Sequence, residues 1–245
     1  MDSRYPPEMP APVIRLEDVR RSFEGKAVLR GVTACAEPGR LIGLLGRNGE
    51  GKTTLVRILL DLLTADSGRV EVLGLSPDGS GRIRSRVGWV PERPVFPEYL
   101  DVDGVLALRR GCFSKWDEAR AERLCERMSL DPRTPVKGAS KGTLAKLAWV
   151  CALAHDPELF VLDEPTSGLD AVVRAAILRE VVPDLLSRGK TLLVANHHME
   201  ELAGRLDELW TLRGGALETR SAAWLRREPD PSAALARWLA PGAGA

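Results

Sequence analysis

The stretch Leu41-Ile42-Gly43-Leu44-Leu45-Gly46-Arg47-Asn48-Gly49-Glu50-Gly51-Lys52-Thr53-Thr54 decides how the rest of the chain is read. Its opening, Leu41 to Leu45, is an apolar run, the pattern of a strand buried on both faces. Gly46 to Thr53 fits the spacing G-x-x-x-x-G-K-[ST]. Beyond it Leu55, Ile58, Leu59, Leu62 and Leu63 recur at helical spacing, so a helix is expected up to Leu63. Strand, glycine loop and helix in that order make a cradle for phosphate. Glycines let the backbone close on an anion without Cβ clashes. Successive N–H groups then point inward at the positive end of the helix. Lys52 supplies charge between the β- and γ-phosphates, and the Thr53 hydroxyl can ligate Mg2+. At this chain's own Gly, Lys, Ser and Thr frequencies about 0.006 matches are expected by chance. A nucleotide site follows, but not the use made of it.

A second apolar run, Leu159-Phe160-Val161-Leu162, ends in Asp163-Glu164. An acidic pair at the tip of a buried strand suits metal and water chemistry. Asp163 can hold Mg2+ through a water, and Glu164 can polarise the attacking water.

The remaining composition narrows the classes. The chain has 245 residues, 44% hydrophobic and 28% charged, enough for one core with a smaller lobe attached. Its formal net charge of +1 gives no general footprint for nucleic acid. No apolar stretch approaches the ~20 residues of a membrane-spanning helix. Residues 1–12 carry four prolines (Pro6, Pro7, Pro10, Pro12) and no apolar h-region, and read as a flexible tail and not a signal peptide. Cys35, Cys112, Cys125 and Cys151 lack C-x-x-C spacing and read as reduced, mostly buried thiols of a cytosolic protein. They and the three histidines form no zinc-ligand cluster.

Along the chain, strands are expected at Val13–Val19, Ala27–Ala36, Arg69–Leu73, Thr191–Ala195, Leu206–Leu212 and Ala216–Glu218, besides the two apolar runs. Tyr99 to Lys146 has helical periodicity and reads as a small helical lobe set into the α/β pattern. Leu147–His155 is expected as a helix. So is Ala171–Ser187, interrupted or kinked at Pro183. Ser221–Ala240 has helical spacing broken by Pro229 and Pro231. Alternating strands and helices imply a mostly parallel sheet covered by helices, with ligands at the carboxyl ends of the strands.

Gly46 to Thr54, taken with Phe160-Val161-Leu162-Asp163-Glu164-Pro165-Thr166-Ser167-Gly168-Leu169-Asp170, resembles the nucleotide-binding domain of ABC-type ATPases. Simple P-loop kinases and GTPases lack the second run. The resemblance covers about residues 13–218. It implies a P-loop NTPase (RecA-like) α/β core, an N-terminal antiparallel β subdomain and an inserted α-helical subdomain at about 93–146. Residues 1–12 are then a tail, 13–220 the ATPase domain and 221–245 a C-terminal helical extension.

The resemblance also implies site residues. Gly46, Asn48, Gly49, Gly51, Lys52, Thr53 and Thr54 would cradle ATP and Mg2+. Phe23 sits where the family places an aromatic that stacks on adenine, although a lone Phe between two strands is also a common core residue. Gly88-Trp89-Val90-Pro91-Glu92 looks like the Q-loop, with Glu92 where Gln is usual; its carboxylate could reach Mg2+ or the attacking water. Ala139-Ser140-Lys141-Gly142-Thr143 stands in the place of the Leu-Ser-Gly-Gly-Gln signature: Ser140 and Gly142 fit, the other three depart. In the family this segment contacts the γ-phosphate held by the opposite protomer. His197 resembles the switch histidine, with His198 as a competing candidate, and Ser167 to Asp170 the D-loop that crosses the dimer interface.

Such ATPases bind two ATP molecules between head-to-tail domains. One phosphate loop and one signature per chain imply a second ABC subunit, identical or related. Two uses of this engine remain. One is transport with separate integral membrane permease subunits docking near Pro94–Val102, with Phe96 and Tyr99 lining the groove or packed in the core. Glu92, Ser140-Lys141-Gly142 and Ser114-Lys115-Trp116-Asp117 resemble the export-type (ABC-2) group, which would set the chain at the cytoplasmic, inner face of the cell membrane. The other is a soluble ABC ATPase acting on ribosomes or chromosomes; the charged linker or long coiled-coil insertion typical of those is missing, and no nucleic-acid partner is implied.

Overall fold

The computed structural model describes residues 11–195 and 199–239. β1 (Ile14–Phe23) and β2 (Lys26–Ala36) form an antiparallel hairpin closed by Glu24 and Gly25, both at positive φ, the backbone a two-residue hairpin turn requires. β3 (Leu41–Leu45) runs into α1 (Lys52–Leu59), and β4 (Ser67–Val72) returns to pair with β1, giving a three-stranded sheet β2-β1-β4. Then come β5 (Val87–Val90), α2 (Val102–Cys112), α3 (Glu118–Arg127), α4 (Lys141–Leu153) and β6 (Leu159–Asp163). α5 (Ala171–Ala176) continues through a π-helical turn, Ile177–Val181, into α6 (Val182–Ser187). β7 (Thr191–Ala195), β8 (Glu208–Arg213), β9 (Ala216–Ser221) and α7 (Pro231–Leu239) follow. The second sheet has order β5-β6-β7-β3-β8-β9, parallel except for the β8–β9 hairpin.

The alternation along the central strands divides the core in two. Ile42, Leu44, Leu159, Val161 and Leu193 face α1 and the antiparallel sheet. Leu41, Leu45, Phe160, Leu162, Leu192 and Val194 face α4, α6 and the helical lobe. The apolar runs read as doubly buried strands are β3 and β6, the fold of a P-loop NTPase with an antiparallel β sheet and helices around it.

Several boundaries differ from the sequence reading. β1 runs past Val19 to Phe23, because Arg20, Arg21 and Ser22 stay paired to Arg30, Leu29 and Ala27 across register shifts. α1 stops at Leu59, short of Leu63. Asp61 takes φ 54° there, and its carboxylate accepts the Gly79 N–H at 2.9 Å, while Leu62 points outward. β5 was not anticipated as a strand; a four-residue edge strand with a glycine carries little pattern. α4 begins at Lys141 and not at Leu147, because Ser140 caps it and its first turn is polar. The break expected at Pro183 is the π turn just before it: a proline has no N–H to give the Arg179 carbonyl, and the widened turn makes room for its ring. Of the cysteines, only Cys125 and Cys151 are buried; Cys35 and Cys112 are exposed, and all four are free thiols.

Candidate nucleotide site

The loop Gly46–Gly51 leaves the carboxyl end of β3 and caps α1 from its own backbone. Two glycines are required by space as well as by conformation. Gly46 has φ 153°, and a Cβ there would lie 2.7 Å from the Leu212 carbonyl oxygen. Gly51 has φ 106°, and a Cβ would press on Val28 and Leu29 at 3.0 and 3.1 Å. The loop is therefore wedged between β8 and the β1–β2 hairpin. Lys52 is only 9% exposed. Its Nζ donates to the Gly46 carbonyl at 2.5 Å and to that of Arg47 at 3.3 Å, so the ammonium lies over the concave side of the loop. Thr53 and Asn48 are exposed and Thr54 is half-buried.

Register carries the acidic pair to the same end of the sheet. Leu44 pairs with Ala195, and Ala195 with Asp163, so the three lie in one cross-strand row. Two strand spacings, about 10 Å, separate the base of the loop from Asp163. Glu164 leaves the sheet at φ 48°, with its N–H donating to the Ala195 carbonyl at 2.8 Å. Both carboxylates are half-buried. On the next strand Val90 pairs with Leu162, which brings Pro91-Glu92 to the same edge; Glu92 is exposed and 3.7 Å from Arg93 Nε.

Phe23 is 42% exposed at the end of the hairpin, and the Arg21 guanidinium sits 4.8 Å from its ring centroid. It is a surface ring at the end of the hairpin, not a core residue. His197 and His198 lie outside the described residues.

Ser140 caps α4: its Oγ accepts from the Thr143 N–H at 3.0 Å. A Cβ on Gly142 would come within 2.9 Å of the Gly168 carbonyl oxygen, so the start of α4 rests directly on the 164–170 segment. Asp170 spends its carboxylate on its own helix, accepting from Val172 and Val173 at 3.1 and 2.9 Å, with Lys146 Nζ 3.5 Å away. These hydrogen bonds, that of Val173 first, hold its carboxyl below the usual range. Among the described residues no hydrogen bond or ion pair joins Ser140 to Gly142 with the phosphate loop.

One residue escaped the sequence reading. Trp149 is wholly buried in α4, and its Nε1–H donates to the Pro165 carbonyl at 2.8 Å, immediately after Glu164. A tryptophan in an apolar helix looks like packing alone; only the structure shows that it hydrogen-bonds the turn after Glu164.

The donor set fits Mg2+. Thr53 and Asp163 offer hard oxygens on neighbouring elements, and the described residues hold no cluster of three or more His, Cys, Asp or Glu. Mg2+ suits so few protein ligands because it keeps waters and phosphate oxygens.

A glycine cradle over a helix start, facing an acidic strand end across one intervening strand, defines a P-loop ATPase. The ABC transporter sequence profile matches residues 29–167. The chain belongs to the ABC transporter family. It is 30% identical over 206 residues to the ABC transporter ATP-binding protein YtrB of Bacillus subtilis (strain 168), covering 84% of this chain and 70% of that one. It is 36% identical over 208 residues to the Nod factor export ATP-binding protein I of Rhizobium etli, covering 82% and 66%. The chain thus spans about two thirds of the length of these relatives. It superposes with TM-score 0.75, at 19% identity, on a dimeric ATP-binding cassette, MJ0796, bound to ADP and Pi, covering 85% of this chain and 98% of that one.

Proposed function

We propose that this chain is the ATP-hydrolysing subunit of a membrane exporter and works as an ATP-bridged head-to-tail dimer. The observation that carries the reading is the row Leu44–Ala195–Asp163, which sets phosphate loop and acidic pair at one end of one sheet. Lys52 and the loop N–H groups hold the phosphates, exchanging the Gly46 carbonyl for a phosphate oxygen. Thr53 and Asp163 would hold Mg2+, which neutralises charge on the phosphates when bound. Glu164 orients the attacking water and takes its proton, His197 contacts the γ-phosphate, and Glu92 approaches the same water from the β5 edge. Phe23 stacks on adenine. Ser140 and Gly142 present the start of α4 to the γ-phosphate held by the other protomer, and Asp170 fixes the adjoining turn. Hydrolysis removes the charge that joins the two surfaces, and the population shifts from closed to open.

Export is supported by the names of the relatives. No helix among the described residues is long and apolar enough to cross a membrane, so the membrane path belongs to permease subunits. Their seat lies near Pro94–Val102. Val95 and Tyr99 are 88% and 85% exposed there, while Phe96 is buried core and lines nothing. Docking at that seat would hold the chain on the inner face of the membrane.

Glu164→Gln is expected to bind ATP, stall hydrolysis and accumulate a dimer, read by light scattering with ATP and Mg2+. A variant that turns over at the parent rate refutes the role of Glu164. Co-purification with a polytopic membrane protein tests the transport reading; stable capture on ribosomes instead would overturn it.

A further inference from the structure

Two charged residues are poorly served within the chain. Glu50 lies inside the phosphate loop between Gly49 and Gly51. Its Oε2 is closed off from solvent and has no hydrogen-bond partner, and no ion pair reaches its carboxylate among the described residues. The buried cation of the loop, Lys52, is committed to the Gly46 and Arg47 carbonyls. A partly buried, unpaired carboxylate costs free energy, and bound phosphates repel it further. Lys141 is the opposite case. It is the first residue of α4, exposed, and without an ion pair among the described residues. A cation at a helix N-terminus works against the helix dipole. Ser140 already caps the helix, and the close contact of Gly142 with Gly168 fixes where Lys141 stands.

In the head-to-tail dimer proposed above, the phosphate loop of one chain would face the start of α4 of the other, so one charge would sit on each surface, with complementary signs. We propose that Glu50 pairs with the partner's Lys141, twice per dimer, so that closure supplies each charge with the counterion it lacks in the monomer. The inference rests on the dimer reading above. It adds that the partner is a second copy of this chain, because one sequence carries both halves of the pair and a two-fold axis satisfies both at once.

The test is a charge exchange in the Glu164→Gln background, with ATP and Mg2+ present and dimerisation followed by light scattering. Glu50→Lys alone and Lys141→Glu alone each place like charges in both interfaces and are expected to weaken the dimer by about tenfold or more. Mixing the two variants restores opposite charges in both interfaces, so the mixture is expected to dimerise within a few-fold of the parent. Single variants that dimerise like the parent, or a mixture that stays monomeric, overturn the pair. Nucleotide affinity is measured on each variant. If a reversal abolishes it, Glu50→Gln, Lys141→Met and their combination form a double-mutant cycle, and zero coupling overturns the pair. A parent that stays monomeric with ATP overturns the dimer reading and the pair with it; a parent dimer without rescue on mixing overturns the pair alone.

Discussion

Lys52 holds its ammonium against two backbone carbonyls, so its positive charge is stored where phosphate oxygens would replace them. Lys52→Ala is expected to weaken ATP binding by about a hundredfold or more, the scale of one charged partner lost from a buried site, with little change in melting temperature. Micromolar affinity retained in calorimetry would count against the cradle. Away from the site, His155 is 2% exposed, and its ring stacks on Phe113 with centroids 4.0 Å apart. Burial first, and the neighbouring Arg109 charge second, push its pKa down to about 4. The unfolded chain takes up this proton near its ordinary 6.5 while the folded one resists, so stability rises with pH between those values and is lost on acidification through them. The contribution is at most about 3 kcal/mol. His155→Phe should flatten that part of a stability–pH curve; an unchanged slope would place the acid sensitivity elsewhere.

At the scale of elements, α4 meets the 164–170 segment at two points, Gly142 against Gly168 and Trp149 to Pro165. Trp149→Phe keeps most of the packing and leaves the Pro165 carbonyl unpaired. It is expected to cost about 1–2 kcal/mol and to lower kcat more than it raises KM, since the turn it loosens carries Glu164. A variant with parent stability and kcat would show the hydrogen bond to be idle. The elements legible in the sequence were those whose pattern has one physical cause: β3, and β6 up to Leu162, are apolar because both faces are covered, and the loop after β3 needs its glycines. The start of α4 was hidden because a polar first turn follows a capping serine, whereas apolarity marks only its buried length. β5 was hidden because four residues at a sheet edge show no period. The exposure of Phe23 and Tyr99, and the burial of Phe96, depend on contacts from distant parts of the chain that spacing does not encode.

At the scale of the molecule, Asp156 ties lobe to core. Its carboxylate receives Arg120 of α3, at 2.8 Å, together with Arg188 and, at 3.0 Å, Lys190 from the segment leading into β7. Partial burial alone would raise this carboxyl, but hydrogen bonds from Lys190 and Arg120 and the surrounding charge hold it at about 2. A depressed carboxyl stabilises above its unfolded pKa of 3.8 and loses that stability as pH falls toward 2. Because the group is partly exposed, solvent screening leaves about 1 kcal/mol, and Asp156→Asn should lower stability at pH 7 by that amount and far less at pH 2. An equal loss at both values would mean that packing, not charge, is what Asp156 provides. Arg127 and Glu180 make a further ionic tie between α3 and the helix that ends in α6.

The two contacts along α4 have a consequence for the pair. In the head-to-tail pair proposed above, each chain would lend the start of its α4 to its neighbour's nucleotide and keep its own Glu164 for itself. The helix and the 164–170 segment touch at both of these points, so a displacement of one bears on the other. In that pair, a shift of the 164–170 segment in one chain would bear on the helix start offered to the other chain's nucleotide.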